Sequence, residues 1–275
     1  MNRLPPSPRP VIDAAMLPTV RRRAVCGAVL AVGLWPALTR PAGLPDVVAA
    51  TKPAVVAVGI YNPTGSPRFS FRGTGFAVGD GNRVVTNRHV LPGADEVGGG
   101  GRLVVALPRG SEQQPEVRNC TVVGTDPDHD LALLQVEGAA LPALAMPDGA
   151  LPREGLAVAM IGFPLGAGLG FSPVTHRGII AAVTSIAMPS PTARQLDPRT
   201  LARLRQGPFQ ILQLDATAYP GNSGSPLVDA ETGELVGVIN MVLIKGTRET
   251  AISTPTGITY AVPAHYVREL MQAGR

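Results

Sequence analysis

The feature that most limits the fold of this chain is a long series of short apolar runs separated by glycine, proline and aspartate. Runs such as RVVTNRHVL, LVVALP and DLALLQVE have the length of β-strands and end at turn-forming residues. Roughly six of them precede the proline-rich connection LPALAMPDGALPREG, and about six follow it. The pattern therefore predicts an all-β protein built from two antiparallel barrels or sandwiches.

The chain ends in PAHYVRELMQAGR, where apolar side chains recur at helical spacing. This spacing predicts an amphipathic closing helix over residues 263–273. Together with the strand pattern, it divides residues 44–275 into a first strand group at about 44–140, a second at about 152–262, and the helix.

Residues 1–43 have the composition of an export leader. Three arginines precede the apolar stretch from Ala24 to Leu38, which is short for a membrane span and typical of a signal-peptide core. The paired arginines also fit a twin-arginine signal. The sequence predicts a periplasmic or secreted protein exported by the Sec or twin-arginine route. The alternative is an uncleaved leader that anchors the protein to the inner membrane.

The formal net charge of +4 comes from this leader. Six of the 24 basic residues and one of the 20 acidic residues lie in residues 1–43, which leaves 18 basic and 19 acidic residues. A nucleic-acid partner is therefore not predicted. The histidines lack the paired spacing of a metal site, and the glycine turns lack the lysine of a phosphate loop, so we expect no metal and no other cofactor.

The sequence holds two cysteines, and Cys26 lies in the leader. Cys120 alone therefore cannot form an internal disulfide in the strand-rich region. Because it occurs in the strand-like run EVRNCTVVGTD, we expect a buried and inert thiol.

The turn AYPGNSGSPL places Ser223 among glycines, between a proline and an apolar strand. Such a turn either only reverses the chain or presents a hydroxyl for chemistry. A serine hydroxyl becomes a strong nucleophile when a base takes its proton and a third group orients that base. The candidates are His89, which ends the run VVTNRHVL, and Asp130, which directly precedes the apolar run in DPDHDLALLQV.

Each candidate also has a structural interpretation, His89 as an ordinary structural histidine and Asp130 as the cap of a turn. The order His89, Asp130, Ser223 is that of the chymotrypsin-type triad and differs from the subtilisin and α/β-hydrolase orders. The first two residues lie in the first strand group and Ser223 lies in the second. A cleft between two barrels would therefore bring the three together.

Five blocks in order resemble the signature blocks of the HtrA/Deg branch of trypsin-like serine proteases: GTGFAV with VVTNRHV, DPDHDLALLQV, GNSGSPLVD, GELVGVIN and GITYAVP. The resemblance covers about residues 44–273 and implies a chymotrypsin-like fold of two six-stranded antiparallel β-barrels. It implies His89 as general base, Asp130 as its orienting partner and Ser223 as nucleophile. It also implies an oxyanion hole at Gly221, Asn222 and Ser223, formed by the amides of Gly221 and Ser223 while Asn222 sets the loop.

The chain departs from the family at several positions. Ser225 replaces the glycine that usually lies two places after the nucleophile, and Tyr219 stands where asparagine is common. The sequence ends at Arg275, so we expect the protease domain without a PDZ module. The residues expected to bind substrate carry no acid, which predicts a preference for small or medium apolar residues before the scissile bond. These residues are Thr217, Ala218, Tyr219, Asn240 and Met241.

The resulting hypothesis is an exported serine endopeptidase that cleaves polypeptides through an acyl-enzyme, with unfolded or damaged envelope proteins as substrates. The alternative is a catalytically inactive trypsin-like binding module, and a serine esterase is a third interpretation. The resemblance further implies a homotrimer. An uncleaved leader would add association with the membrane, and the loop at 186–208 is long enough to act as a lid or to be a simple insertion.

Overall fold

The computed structural model describes residues 43–97, 100–109, 115–166, 171–186, 209–241 and 257–274. Within these residues, twelve strands form two closed antiparallel barrels of six strands each, and a helix follows. This confirms the predicted all-β double barrel with a C-terminal helix. The predicted leader lies outside the described residues apart from its last residue, as does the predicted loop 186–208 apart from its first.

The first barrel is preceded by helix α1 (Leu44–Thr51), whose N-terminal turn is closed by Asp46, and by a 3-10 turn at Lys52–Ala54. Its strands follow the order β1-β2-β3-β6-β5-β4, and pairing of β1 with β4 closes the barrel. A 3-10 helix at Arg88–Val90 follows β3, and the short helix α2 (Ala94–Val97) precedes β4. The strands are β1 Val55–Tyr61, β2 Phe69–Val78, β3 Arg83–Asn87, β4 Arg102–Leu107, β5 Glu116–Asp126 and β6 Leu131–Val136.

The second barrel has the order β10-β11-β12-β9-β8-β7, and pairing of β7 with β10 closes it. Helix α3 (Ala264–Ala273) follows the last strand directly. The strands are β7 Ala157–Gly162, β8 Val174–Ile186, β9 Phe209–Asp215, β10 Pro226–Asp229, β11 Leu235–Ile239 and β12 Ile258–Pro263.

One cluster of buried side chains connects the two barrels with α3. The helix turns one apolar face inward, as its sequence spacing predicts, and meets residues of both barrels. Burial of this shared face therefore holds the barrels against each other. The cluster includes Leu131 and Leu133 of β6, Val238 of β11, Val262 of β12, and Val267 and Leu270 of α3.

Cys120 on β5 is buried, as predicted. Burial, assisted by the nearby charge of Glu137, raises the pKa of its thiol to about 12. The thiolate is therefore a minor species at neutral pH, which makes the group unreactive. Within the described part of the chain, no helix combines the length and the apolar character that crossing a membrane requires.

We expect Leu270→Ala to lower the free energy of unfolding by about 2–5 kcal/mol, because it leaves a cavity in the cluster that joins both barrels. Urea denaturation followed by fluorescence would measure the loss. Leu270→Met keeps the volume and should cost under about 1.5 kcal/mol. Equal stability of Leu270→Ala and the parent chain would show that α3 does not hold the barrels together.

Candidate active site

His89 lies on the 3-10 helix that follows β3, at the junction of the two barrels. Its backbone amide donates a hydrogen bond to Asp130 Oδ1 at 2.9 Å. The preceding amide, that of Arg88, donates to the Asp130 carbonyl oxygen at 2.9 Å, and Asn87 Nδ2 donates to the same oxygen at 3.2 Å. Asp130 thus holds the chain around His89 through both its backbone carbonyl oxygen and its side-chain carboxylate.

Asp130 occupies the position directly before β6 and has a φ of 55°. This left-handed conformation is uncommon outside glycine, although aspartate tolerates it better than most residues, and it costs about 1 kcal/mol. Its carboxylate oxygen Oδ2 lies 2.5 Å from His89 Nδ1 and accepts a hydrogen bond from Asn240 Nδ2 at 3.0 Å. The strained conformation therefore directs the carboxylate at His89.

The turn before Asp130 is fixed by Asp126. Its Oδ1 accepts hydrogen bonds from the amides of Asp128 and His129 at 3.0 and 3.1 Å, and its Oδ2 lies 2.6 Å from His129 Nδ1. Burial raises the pKa of Asp126, but the hydrogen bonds from His129 and Asp128 outweigh it and the pKa lies below its ordinary value. His129 stacks on Tyr266 of α3 with ring centroids 3.6 Å apart. The turn that carries Asp130 is thereby anchored on the closing helix.

Ser223 lies in the turn between β9 and β10, and its Oγ is 3.0 Å from His89 Nε2. Since the Asp130 carboxylate only accepts hydrogen bonds, its contact with His89 requires the proton on Nδ1. The lone pair of Nε2 then faces the Ser223 hydroxyl. The structure thus brings together all three residues that the sequence singled out for chemistry, with Ser223 only 7% exposed.

The turn around Ser223 is shaped by contacts from outside it. The amide of Leu165 donates to the Pro220 carbonyl oxygen at 2.7 Å, and Thr74 Oγ1 donates to the Gly221 carbonyl oxygen at 2.8 Å. Because a trans peptide directs its N–H opposite to its carbonyl, the first bond turns the Gly221 amide away from Leu165. Gly221 has a φ of 104°, and a Cβ at this position would collide with the Phe163 carbonyl oxygen.

No described residue accepts a hydrogen bond from the amide of Gly221 or Ser223. Two amide donors beside the Ser223 hydroxyl are the arrangement that an oxyanion hole requires. Asn222, between them, is buried, and its own amide donates to the Tyr219 carbonyl oxygen at 3.0 Å. This bond holds the backbone of the turn, and the part of Asn222 in an oxyanion hole stays a prediction.

Ser225 replaces the usual glycine and is fully buried. Its Oγ packs against Gly162 of β7, where a Cβ would collide with it, so the serine side chain fits because residue 162 is glycine. In the described part of the chain, neither this hydroxyl nor the Asn222 side chain has a hydrogen-bond partner. Their burial therefore carries a free-energy cost in this turn.

The residues predicted to bind substrate lie on both sides of Ser223. Ala218 is buried, whereas Thr217, Tyr219 and Met241 are half-buried, and the Tyr219 ring lies 5.9 Å from that of His176. Asn240 is only 2% exposed and contacts Asp130. The sequence did not suggest that contact, and the role of all five in substrate binding stays a prediction.

The sequence matches the family described as "Trypsin-like peptidase domain" over residues 73–238. The chain belongs to the trypsin-like peptidase family. It is 34% identical over 191 residues to a protein named "Probable periplasmic serine endoprotease DegP-like" from Pseudomonas putida (strain GB-1), a match that covers 70% of this chain and 32% of the relative. A protein of the same name from Halomonas elongata is 32% identical over the same shares.

A solved structure, "HtrA-type protease AlgW with decapeptide", has the same fold with a TM-score of 0.61 and 26% identity. The match covers 85% of this chain and 67% of that one. These likenesses confirm the resemblance to HtrA/Deg-type protease domains and the chymotrypsin-like fold. This trypsin-like peptidase spans about a third of the length of the curated relatives that it matches, since 32% of each is covered.

Thr74 is a further site residue of this trypsin-like peptidase, and sequence reasoning missed its contacts. Its amide donates to the Ser223 carbonyl oxygen at 2.9 Å, and its Oγ1 accepts from the Phe163 amide at 3.1 Å. The signal was the position of Thr74 inside the block GTGF. The block marks the strand, but only the contact between barrels shows that this side chain supports the serine turn.

We expect Asn240→Asp to destabilise the protein at pH 7 by roughly 1–3 kcal/mol, because a second carboxylate would replace a donor 3.0 Å from Asp130 Oδ2. The repulsion requires both carboxylates to be charged, and protonation of either one at acid pH removes it. The loss relative to the parent chain should therefore grow as pH rises above about 4 and fade below it. Urea denaturation at pH 3.5 and at pH 7 would measure the loss of stability at each pH.

Asn119→Asp is the matched control, since Asn119 Nδ2 lies 3.0 Å from Glu137 Oε2 on the exposed surface. Solvent screens that pair, so the same change should cost far less. Equal losses in the two variants would contradict a special role for the contact between Asn240 and Asp130.

Proposed function

We propose that this chain is an exported serine endopeptidase whose catalytic residues are His89, Asp130 and Ser223. One observation carries the proposal. The His89 ring spans the two other residues, with Nδ1 2.5 Å from Asp130 Oδ2 and Nε2 3.0 Å from Ser223 Oγ. A histidine held in this way by a carboxylate on one side and a hydroxyl on the other has the geometry of general-base activation.

In the proposed reaction, Ser223 Oγ attacks the carbonyl carbon of the scissile bond while His89 Nε2 takes the hydroxyl proton. Asp130 keeps the proton of His89 on Nδ1 and stabilises the imidazolium that forms. His89 then gives its proton to the leaving amine, and the C–N bond breaks to leave an acyl ester on Ser223. A water molecule, deprotonated by the same Nε2, attacks this ester and releases the second product.

The negative oxygen of the tetrahedral intermediate would be stabilised by the amides of Gly221 and Ser223. Support comes from the bond between the Leu165 amide and the Pro220 carbonyl oxygen, which orients the Gly221 amide before substrate arrives. Donors that are already oriented need no rearrangement during the reaction. Loss of one such donor lowers the rate by roughly 10²–10³ in enzymes of this kind.

We extend the proposal to location and substrate. Relatives carry the name periplasmic serine endoprotease, and the leader pattern of residues 1–43 fits export, so we place the protein in the periplasm. A structural neighbour was solved with a decapeptide, which supports polypeptide substrates. Unfolded or damaged envelope proteins are the proposed substrates, protein quality control the proposed role, and a homotrimer the proposed assembly.

The first test is covalent labelling of the purified chain by a fluorophosphonate probe, which reacts with an activated serine. We expect Ser223→Ala to abolish labelling and His89→Ala to slow it by roughly 10³-fold or more, because the hydroxyl loses its base. Ser70→Ala, on the exposed start of β2, and His265→Ala, on α3, are the matched controls and should label like the parent chain. No labelling of the folded parent chain would overturn the proposal in favour of a binding module.

Cleavage specificity is tested with a peptide library. Asp130 contacts Asn240 but is paired with His89, and Asp215, two positions before Thr217, lies exposed at the end of β9. We therefore expect small or medium apolar residues before the scissile bond. Thr217→Asp adds a carboxylate to the predicted pocket and should shift the preference toward arginine and lysine. Dominant cleavage after basic residues by the parent chain would refute the predicted preference.

A further inference from the structure

Arg72 of β2 makes three side-chain contacts just beyond His89. Its Nε donates to the Val90 carbonyl oxygen at 2.7 Å, and its Nη2 donates to the Leu91 carbonyl oxygen at 3.2 Å. Its Nη1 forms an ion pair with Glu96 Oε1 at 2.6 Å. The Arg72 guanidinium thus donates to three acceptors, which lie at the end of the His89 turn and in the segment that follows it.

Glu96 extends this contact. Its second oxygen, Oε2, accepts a hydrogen bond from the Gly93 amide at 2.7 Å. Hydrogen bonds from the Gly93 amide and from Arg72 lower the pKa of Glu96, so the carboxylate stays charged at neutral pH. The pair of Arg72 and Glu96 therefore fixes residues 90–93 at both ends.

The 3-10 helix that carries His89 is short and has little stability of its own. It is closed by one bond, from the Leu91 amide to the Arg88 carbonyl oxygen at 3.1 Å. Asp130 holds its first residues, and Arg72 takes the carbonyl groups at its end. Short helices leave such carbonyls without intrahelical partners, so a guanidinium there both satisfies and locates them.

The same stretch of β2 also holds the nucleophile. Two residues after Arg72, the Thr74 amide donates to the Ser223 carbonyl oxygen at 2.9 Å. Gly73, between them, lets both turns approach, since a Cβ there would lie 2.7 Å from Val90 Cγ2 and 3.0 Å from the Ser223 carbonyl oxygen. Residues 72–74 thus contact the turn of His89 on one side and the turn of Ser223 on the other.

We propose that Arg72 is a positioning residue for His89, and that with Thr74 it sets the distance between His89 Nε2 and Ser223 Oγ. This inference rests on the proposed function of that pair. Arginine suits the task because its planar guanidinium offers five donors at fixed angles, whereas lysine is a single flexible ammonium group. A displacement of about 1 Å between reacting groups can cost 10²-fold in rate.

The experiment compares Arg72→Gln, Arg72→Lys and Glu96→Gln with the matched control Arg68→Gln, which changes an exposed arginine just before β2. Fluorophosphonate labelling kinetics give the maximal labelling rate and the probe concentration at half-maximal rate. For Arg72→Gln we expect the maximal rate to fall by roughly 10- to 100-fold. The half-maximal concentration should stay within about twofold because the binding surface is intact. Arg72→Lys should retain part of the rate, and Arg68→Gln all of it.

Proton NMR of the His89 Nδ1–H provides a readout that does not require activity, and His89→Ala assigns the signal. We expect Arg72→Gln to shift or broaden this signal, as a displaced ring would, while the melting temperature stays near that of the parent chain. If Arg72→Gln does not fold, Arg72→Lys and Glu96→Gln are compared with the parent chain in the same way. We expect smaller decreases in the maximal labelling rate for these two variants.

The outcomes separate this inference from the proposed function. A parent chain that labels, with Arg72→Gln and Glu96→Gln labelling equally fast, would overturn the positioning role alone. A parent chain that does not label would overturn the proposed function. In that case an unchanged His89 signal in Arg72→Gln would overturn the positioning role as well, and a displaced signal would support it.

Discussion

The whole site depends on the hydrogen bonds that cross from β2 of the first barrel to the serine turn of the second. Thr74 donates through its amide to the Ser223 carbonyl oxygen and through its hydroxyl to the Gly221 carbonyl oxygen. These bonds fix the position of the serine turn relative to the barrel that carries His89. A contact of 3.0 Å between His89 Nε2 and Ser223 Oγ requires the two barrels to keep their relative position to within a fraction of an ångström. The Thr74 amide provides that precision, because it is a backbone donor on a closed sheet and cannot rotate as a side chain does.

Several residues of the site have energetically unfavourable conformations or unpaired polar groups, and the surrounding structure compensates for them. Asp130 takes a left-handed conformation, and the buried side chains of Asn222 and Ser225 have no hydrogen-bond partner among the described residues. Each of these features raises the free energy of the folded state by itself. Two of them lie in the serine turn, and the third lies at the residue whose carboxylate faces His89. The shared apolar cluster of both barrels and α3 supplies the stability that permits them. Proteins typically have such unfavourable local features at functional sites, where the rest of a well-packed structure compensates for them.

The double barrel and its three central side chains could be predicted from the sequence because both depend on local patterns. Runs of strand length with turn residues gave the twelve strands, and His89, Asp130 and Ser223 each stood at the boundary of such a run. The contacts of Asn240, Thr74 and Arg72 could not be predicted in this way. They join residues 110, 147 and 18 positions apart, respectively, and no periodicity in the chain encodes such pairings. Asn240 shows the limit: its role in substrate binding stays a prediction, and the contact of its side-chain amide with Asp130 could not be predicted from its position in the sequence.

The shape of the serine turn is decided by its neighbours more than by its own side chains. Asn222 and Ser225 form no side-chain hydrogen bonds with described residues, so the turn holds its form through backbone bonds and through Thr74 and Leu165. Thr74 is a buried residue of β2, whereas Leu165 is exposed and has a φ of 57°. The strand therefore fixes where Ser223 lies, while the bond from Leu165 fixes which way the Gly221 amide points. The position of Ser223 and the orientation of the Gly221 amide thus depend on two separate elements, one buried in the barrel and one on its surface.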